Sequence, residues 1–216
     1  MFAVTIDGPA GAGKSTMARL LAKRLGAVMI DTGAMYRAVT AKALDAGVDP
    51  AAEAAVERVA GEMKIEFSGE DSETVLVDGQ DMTARIRRPD VNAFVSKISA
   101  YPGVREKMVR LQRAMAAAGR VVMEGRDAGS VVLPHARFKF YLDAAPGVRA
   151  GRRQKEMVQA GDRAGEAEVL AGIVERDRQD SARAASPLVR PDGAVEIETT
   201  QMDIDEVLKR MLLLIV

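Results

Sequence analysis

The segment FAVTIDGPAGAGKSTMARLLAKRL, residues 2–25, constrains the fold more than any other part of the chain. The apolar run at 2–6 predicts a buried strand, and apolar residues at helical spacing predict a helix over 14–25. Between them, residues 8–15 fit the pattern G-x-x-x-x-G-K-[ST]. A glycine-rich turn that matches this pattern by chance need not lie between a strand and a helix. The order found here is the one that phosphate binding requires, so the sequence predicts that ATP or GTP binds to this loop.

The residue types of the loop have a physical reason. Glycines allow consecutive backbone N–H groups to turn toward an anion, and the following helix adds the positive end of its dipole. Lys14 is expected to reach the β- and γ-phosphates, and the Ser15 hydroxyl is expected to hold Mg²⁺. The predicted ATP-binding residues of the loop are Gly8, Pro9, Ala10, Gly11, Ala12, Gly13, Lys14, Ser15 and Thr16.

The rest of the chain alternates short apolar strands with helices. Further buried strands are predicted at 27–31, 120–124, 137–143 and 194–199. Helices are predicted at 34–47, 51–60, 103–118, 146–160, 165–184 and 203–214. Five apolar strands separated by helices predict an α/β fold with a mostly parallel five-stranded sheet flanked by helices. In such a sheet, ligands bind at the carboxyl ends of the strands.

One region differs from this alternation. Residues 63–83 alternate polar and apolar side chains and carry turn signals at Ser68-Gly69 and Asp78-Gly79. They predict a small antiparallel β insert of two or three strands within a single domain, 1–216.

Composition limits the function classes. The chain has no Cys, which excludes disulfides and thiolate chemistry and fits a reducing cytoplasm. Its 31 basic and 31 acidic residues cancel, so nucleic acid is not expected as a partner. No apolar run is long enough for a membrane span, no leader sequence is evident, and no exposed apolar stripe stands out, so a soluble monomer is expected.

Arginine residues cluster around the predicted ends of strands. Arg37 follows the second strand in DTGAMYR, and Arg126 follows the third in EGRD. A third segment, ERDRQDSARAASPL, carries Arg176 and Arg183. Each of these residues could alone be an exposed surface arginine. Together they predict a second phosphate site opposite the loop, because converging guanidinium groups suit phosphate oxygens.

Five segments, IDGPAGAGKST, IDTGAMYRAVT, SKISAYPGVRE, EGRDAGSVVLP and ERDRQDSARAASPL, together resemble the bacterial cytidylate kinase family. The resemblance extends over nearly the whole chain. It implies a P-loop kinase of pyrimidine nucleotide metabolism that transfers a phosphoryl group from ATP with Mg²⁺ to CMP or dCMP. It also implies a nucleoside monophosphate-binding subdomain at 61–98 and a helical lid at 147–166.

The resemblance also implies roles for individual residues. The catalytic residues would be Lys14, Arg126 and Arg183, and Arg37 would join the two arginines at the acceptor phosphate. The cytosine edge would be recognised by Ser96, Arg105 and Asp127. The remaining acceptor residues would be Thr32, Gly33, Tyr36, Arg176 and Asp180. In the lid, Arg152 and Arg153 would bind ATP, and Glu124 would orient Mg²⁺ through water. The sequence departs from the family under the predicted base pocket, at Ala128, Ser130 and Leu133.

Other functions are open to a chain of this kind. A kinase acting on a hydroxyl group, such as shikimate kinase, needs a carboxylate base, and DTG supplies only Asp31. A non-catalytic ATP-binding module would not need the intact Lys14, Ser15 and arginine set. A GTP switch protein would carry an Asn-Lys-x-Asp element, which the chain lacks. The single histidine, His135, follows a proline and is interpreted as a loop residue.

Overall fold

The computed structural model describes residues 2–69, 72–159, 165–183 and 185–215. Its strands are β1 (Ala3–Asp7), β2 (Val28–Asp31), β3 (Ile65–Ser68), β4 (Thr74–Val77), β5 (Gln80–Asp81), β6 (Val121–Gly125), β7 (Phe138–Asp143) and β8 (Val195–Glu198). Its α-helices are α1 (Lys14–Leu25), α2 (Thr32–Asp45), α3 (Glu53–Glu62), α4 (Pro89–Ile98), α5 (Pro102–Ala117), α6 (Pro146–Gln159), α7 (Glu166–Ser181) and α8 (Ile204–Leu214). A short 3₁₀-helix (Arg85–Arg87) and a π-helix (Ala128–Val132) complete the described elements.

The main sheet is parallel and has the order β2-β6-β1-β7-β8, which confirms the predicted five-stranded α/β fold. Every residue of β1 and β6 is buried, because helices cover both faces of the two central strands. The register aligns Asp7 with Gly125 and Asp31 with Glu124. The carboxyl ends of three strands therefore meet at one edge, next to the loop that follows β1.

The apolar core lies on the two faces of this sheet. On one face Leu21 of α1 and Met211 of α8 pack with the buried side chains of the central strands. The other face holds α2 to α5, where Met35 and Met108 are fully buried. Truncating such a side chain to Ala typically costs 2–5 kcal/mol of stability. The helices on both faces fix the positions of the strands that end at the loop.

The predicted β insert is present as the antiparallel sheet β3-β4-β5, although Glu70 and Asp71 of the predicted range 63–83 lie outside the described residues. Val75 and Val77 of β4 are buried and belong to the same core cluster as α2 and α5. The insert is thus packed onto the main domain rather than attached only by its ends.

Three elements were not predicted: the 3₁₀-helix, α4 and the π-helix. The helix α4 begins with Pro89 at its first turn and buries Val91, Val95 and Ile98 at helical spacing, a signal that was present in the sequence. The π-helix has no comparable apolar period, because its five residues form a single turn. Among the described residues, no helix is both long and apolar enough to cross a bilayer. The predicted helix ends at Ala160 and Ala184, and residues 160–164 of the predicted lid, lie outside the described residues.

Candidate active site

The loop between β1 and α1 has the backbone of a phosphate-binding loop. Gly8, Gly11 and Gly13 have φ values of 144°, 75° and 91°, a region that favours glycine. At Gly11 a β-carbon would also lie 2.7 Å from the backbone oxygen of Arg149. The sequence therefore needs glycine here both for conformation and for the close approach of α6.

Lys14 is buried at the start of α1, and its Nζ donates a hydrogen bond to the backbone oxygen of Pro9 at 2.7 Å. Burial and the nearby Arg126 together lower the pKa of Lys14 to about 7, and Glu124 opposes the shift. A phosphate group beside the ammonium would favour its charged form. The lysine is thus held across the loop, where an anion stabilises it.

The carboxylate of Glu124 in β6 forms a pair with the hydroxyl of Ser15 at the start of α1. Ser15 Oγ donates a hydrogen bond to Glu124 Oε1 at 2.5 Å, and Thr32 Oγ1 donates one to the backbone oxygen of Glu124 at 2.8 Å. Burial raises the pKa of Glu124, and the neighbouring Asp31 raises it further. A cation near these oxygens would lower the energy of the ionised carboxylate.

Asp180 in α7 lies at the centre of the predicted arginine cluster. Arg126 Nε donates to Asp180 Oδ2 at 2.8 Å, Arg183 Nη2 donates to Asp180 Oδ1, and Arg176 Nε lies 3.9 Å from Asp180 Oδ2. Burial and the positive charges of Arg126 and Arg37 together lower the pKa of Arg176 to about 9. One carboxylate cannot neutralise four guanidinium groups, so the cluster favours an added anion.

A buried ion pair forms the far wall of the cleft. Arg105 Nη2 donates to Asp127 Oδ2, and both side chains are about 5% exposed. Arg105 Nη1 donates to the backbone oxygen of Ser99 at 2.9 Å, and its Cζ lies 5.3 Å from the centre of the Tyr36 ring. Arg183 Nη2 donates to Ser99 Oγ at 2.9 Å, which links this pair to the arginine cluster.

The tip of the phosphate-binding loop is clamped by two helices. Asp177 Oδ1 of α7 accepts a hydrogen bond from the Ala10 backbone N–H at 3.2 Å. Arg149 Nη1 of α6 donates to the Ala10 backbone oxygen at 3.0 Å and to Asp177 Oδ2 at 2.5 Å. The peptide groups on both sides of Ala10 are thus fixed by α6, which lies almost entirely within the predicted lid range, and by α7, which begins at its end.

The loop separates two cavities. The first, of about 150 Å³, contains the hydroxyl and carboxylate pair, the arginine cluster and the Arg105–Asp127 pair. The second, of about 540 Å³, lies between the loop and the β8–α8 connection and includes Met202, Ile204 and Val207. Gly11, Gly13 and Thr16 border both, so the two cavities meet at the loop.

The structure brings most of the predicted residues into the first cavity. Those that line it are Ala10, Gly11, Gly13, Lys14, Ser15, Thr16, Thr32, Gly33, Tyr36, Arg37, Arg105, Glu124, Arg126, Asp127, Arg153, Arg176, Asp180 and Arg183. Ala12 borders the second cavity, and Gly8 and Pro9 form the start of the loop without lining either cavity.

Two predicted residues lie elsewhere. Ser96 is half-buried in α4 and does not line either cavity; its backbone oxygen accepts a hydrogen bond from Ser99 Oγ at 3.1 Å. Arg152 borders the second cavity, where its guanidinium donates to Thr199 Oγ1 at 3.0 Å and to the Thr199 backbone oxygen at 2.8 Å. In this conformation α6 is therefore joined to the end of β8.

Sequence reasoning missed Ser99 and Asp177. Ser99 stands three residues after Ser96, directly after the last residue of α4, and residues three apart lie on the same side of a helix, so the sequence does not separate the two. Asp177 follows Arg176 directly and resembles an ordinary surface acid of an exposed helix. Only the packing of α6 and α7 against the loop reveals its role.

Comparison with known proteins gives one consistent result. Residues 4–216 match the family model described as Cytidylate kinase. The chain is 48% identical over 208 residues to the cytidylate kinase of Pelotomaculum thermopropionicum, covering 95% of this chain and 92% of that protein. It is 49% identical over 205 residues to that of Lactiplantibacillus plantarum, covering 94% and 90%.

One solved structure is similar to this chain in fold and has little sequence identity to it. The shikimate kinase of Acinetobacter baumannii in complex with shikimate aligns with a TM-score of 0.51 at 15% sequence identity, covering 100% of this chain and 93% of that one. This likeness supports the P-loop kinase fold.

Proposed function

The chain belongs to the cytidylate kinase family, and from that premise we propose how its residues act in the reaction. The enzyme transfers a phosphoryl group from ATP to CMP, and the products are ADP and CDP. We propose that dCMP also accepts the phosphoryl group. The observation that supports the assignment of roles is the meeting of two anion-binding groups in one cleft: the loop around Lys14 and the arginine cluster around Asp180.

The loop binds the donor phosphates. Its N–H groups, the N-terminus of α1 and Lys14 all offer positive charge to the β- and γ-phosphates of ATP. The adenosine part lies in the second cavity, which meets the first at Gly11 and Gly13 and is partly apolar. Arg153 lines the first cavity and Arg152 the second, so both arginines of α6 lie beside the donor.

The arginine cluster binds the acceptor phosphate. Arg37, Arg126 and Arg183 hold its oxygens, and Arg176 with Asp180 lies toward the sugar. The attacking oxygen needs no general base, because a phosphate monoester has its second pKa at about 6 and is already anionic near neutral pH. Catalysis then rests on holding the two phosphates in line and on offsetting the charge that spreads over the moving group.

The Arg105–Asp127 pair recognises the base. The Asp127 carboxylate accepts from the cytosine amino group, and the Arg105 guanidinium donates to the acceptor atoms beside it. Uracil presents a carbonyl oxygen where cytosine presents the amino group, and that oxygen would face a carboxylate. Ser99, which contacts both arginines of this wall, holds them in place. Thr32, Gly33 and Tyr36 line the same side of the cleft, and Ser96 stays a predicted contact.

Mg²⁺ fits the oxygen atoms between Ser15 and Glu124. A hydroxyl and a carboxylate are the hard ligands that Mg²⁺ prefers, and it usually takes its other ligands from water and substrate phosphates. Among the described residues, no three His, Cys, Asp or Glu side chains form a group that could hold a metal, which agrees with an ion that arrives with ATP. When bound, Mg²⁺ would offset negative charge on the ATP phosphates.

Two regions are proposed to move. Residues 61–98 form the acceptor-binding subdomain, and residues 147–166 form the lid over ATP. Closure of both would exclude water, whose attack on ATP would waste the nucleotide. We further propose a cytoplasmic monomer without a membrane partner. No nucleic-acid partner is proposed, because acidic and basic residues balance.

A nucleoside monophosphate panel tests the function. The purified chain is assayed for ADP release with ATP and Mg²⁺ and with CMP, dCMP, UMP, AMP or GMP in turn. We expect the highest kcat/KM with CMP and dCMP, a lower value with UMP, and slow ATP hydrolysis when the acceptor is left out. An ATP hydrolysis rate without CMP that equals the rate with CMP would contradict the closure proposal.

The same panel separates the alternatives. A kinase acting on a hydroxyl group would release ADP with shikimate and not with CMP. A non-catalytic module would bind ATP without turnover. Equal kcat/KM for CMP and UMP would leave the kinase assignment intact and would contradict the role of Asp127 in base recognition.

A further inference from the structure

We propose that Asp7, the last residue of β1, is a positioning residue for the acceptor base: it caps the π-helix in place of Asp127 and so leaves the Asp127 carboxylate free for CMP. Asp7 lies just before the first glycine of the phosphate-binding loop, and the reaction described above gives its side chain no role. The inference rests on the proposed role of Asp127, and the experiment below separates the two.

Both carboxylate oxygens of Asp7 accept hydrogen bonds from the π-helix. Its Oδ1 accepts the Ala128 backbone N–H at 2.7 Å, and its Oδ2 accepts the Gly129 backbone N–H at 2.7 Å. The residue is 0% exposed. These two N–H groups stand at the start of the helix, where no intrahelical acceptor exists.

Asp127 occupies the N-cap position of the same helix. Its backbone oxygen accepts from Val131 N at 2.9 Å and from Val132 N at 3.1 Å, yet its side chain makes no capping hydrogen bond. An aspartate at this position usually accepts from the first N–H groups of its helix. Here the Asp127 carboxylate instead contacts Arg105 on the cleft wall.

Asp7 therefore caps the π-helix, and Asp127, at the N-cap position, contacts the cleft wall instead. Because Asp7 satisfies both N–H groups, Asp127 gains nothing by turning back toward its own helix. Without Asp7, the two buried N–H groups would lack an acceptor, and the Asp127 side chain is the nearest carboxylate in sequence that could supply one.

Gly129 supports this reading. A β-carbon at this position would collide with Asp7 Oδ2, at 3.0 Å, and with Thr5 Oγ1, at 2.6 Å. The φ value of Gly129 is not in the left-handed region, so conformation does not require glycine. What requires it is the close approach of the helix to β1, where Thr5 and Asp7 both lie against this position, and to Pro191.

The test variant is Asp7→Asn, which keeps the size of the side chain and turns one acceptor into a donor. We expect backbone amide exchange at residues 128 and 129 to increase at least about 10-fold, because one N–H loses its acceptor. We expect KM for CMP to rise about 10-fold or more and the preference for CMP over UMP to fall. KM for ATP should stay within about twofold, since the loop keeps its backbone.

Thr5→Val is the matched control. Thr5 Oγ1 is buried beside the same helix and has no hydrogen-bond partner among the described residues. Removing it should leave amide exchange and both KM values unchanged. If Asp7→Asn does not fold, Gly129→Ala gives a second route, because its methyl group displaces the helix from Asp7 and should raise KM for CMP selectively.

The outcomes decide between the claims. The inference is overturned if amide exchange at residues 128 and 129 matches the wild type in Asp7→Asn, or if KM rises equally for ATP and CMP. A purely structural role would lower the unfolding midpoint and leave the CMP to UMP preference unchanged, and this result also overturns it. Failure of the base-recognition proposal shows separately, as a wild-type enzyme without preference for CMP.

Discussion

The proposed donor and acceptor sides of the cleft would bind the same chemical group, a phosphate, by different means. The donor side is one continuous stretch, residues 8–16, where backbone N–H groups would contribute to the binding. The acceptor phosphate would instead be held by side chains from three separate places: Arg37 in α2, Arg126 after β6 and Arg183 after α7.

The difference has energetic consequences. Backbone dipoles need no counter-ion, so the donor loop carries a single buried cation, Lys14. On the acceptor side, Asp127 pairs with Arg105 and Asp180 pairs with Arg126 and Arg183, which leaves an excess of buried positive charge in the cluster. We therefore expect substitutions on the donor side to affect mainly turnover, and those on the acceptor side to affect affinity, selectivity and stability together.

Lys14→Ala should have the largest effect on turnover. The ammonium acts on phosphates whose charge is redistributed during transfer, and removing one such group typically costs 10²–10³-fold or more in kcat. KM for CMP should change little, because the acceptor side keeps its pairs. Steady-state kinetics with both substrates varied measures this. A variant that loses CMP affinity rather than kcat would contradict the separation of the two sides.

Asp127→Ala should have the next largest effect, and on both stability and selectivity. Arg105 would remain buried without its carboxylate, which costs about 3–5 kcal/mol. KM for CMP should rise on the order of 100-fold, since a charge-assisted hydrogen bond to the base is lost and the remaining charge is unpaired. Thermal unfolding and the nucleotide panel measure the two effects.

Asp127→Asn sharpens that result as a matched variant of similar size. Its amide can donate to the carbonyl oxygen of uracil, so the preference should move toward UMP. Equal losses for CMP and UMP in both variants would show that Asp127 only supports Arg105.

The same comparison explains what could be predicted from sequence. The loop was found whole because its residues are consecutive and their spacing alone defines the geometry. The sheet was found because five apolar strands alternate with helices. The arginines and the acids Asp127 and Asp180 were identified as site residues. Ser99 and Asp177 were not, because they reach the site only through the packing of helices that are distant in sequence. Pairing of buried charges is a tertiary property.

Asp177→Asn tests a connection between the donor loop and α7, the helix that also carries Asp180. Its carboxylate accepts from Ala10 N and from Arg149, so the amide would weaken the clamp on the loop tip. We expect KM for ATP to rise about 5–10-fold, the cost of roughly one ordinary hydrogen bond. KM for CMP should stay within about twofold.

Glu175→Gln is the control for that variant. Glu175 lies on the same helix, is solvent-exposed, and pairs only with Arg178 and Gln179 among the described residues. Both KM values should match the wild type. A double-mutant cycle of Asp177→Asn with Arg149→Gln should give a coupling of about 0.5–3 kcal/mol in ATP affinity, and additive effects would show that the clamp does not act as a unit.

Arg176→Met should have the smallest effect, and in the opposite direction on stability. Burial and neighbouring arginines lower the pKa of Arg176 to about 9, so the folded state disfavours its charged form. Because Arg is charged in the unfolded chain throughout the neutral range, that shift destabilises the fold below about pH 9, and the loss is relieved as the pH rises above it. A neutral side chain of similar length should therefore stabilise the free enzyme by about 1 kcal/mol, or roughly 2–4 °C in unfolding midpoint.

The same substitution should weaken CMP binding a few-fold, because the cluster loses a positive charge. Arg178→Met, on the exposed face of the same helix, should change neither quantity measurably. If Arg176→Met instead lowered the unfolding midpoint, the arginine would be stabilised in the free enzyme, and the acceptor side would not be a cluster of like charges that only an added phosphate neutralises. The arginine cluster should therefore destabilise the free enzyme, and bound CMP should restore that stability. The phosphate-binding loop differs, because backbone N–H groups line it.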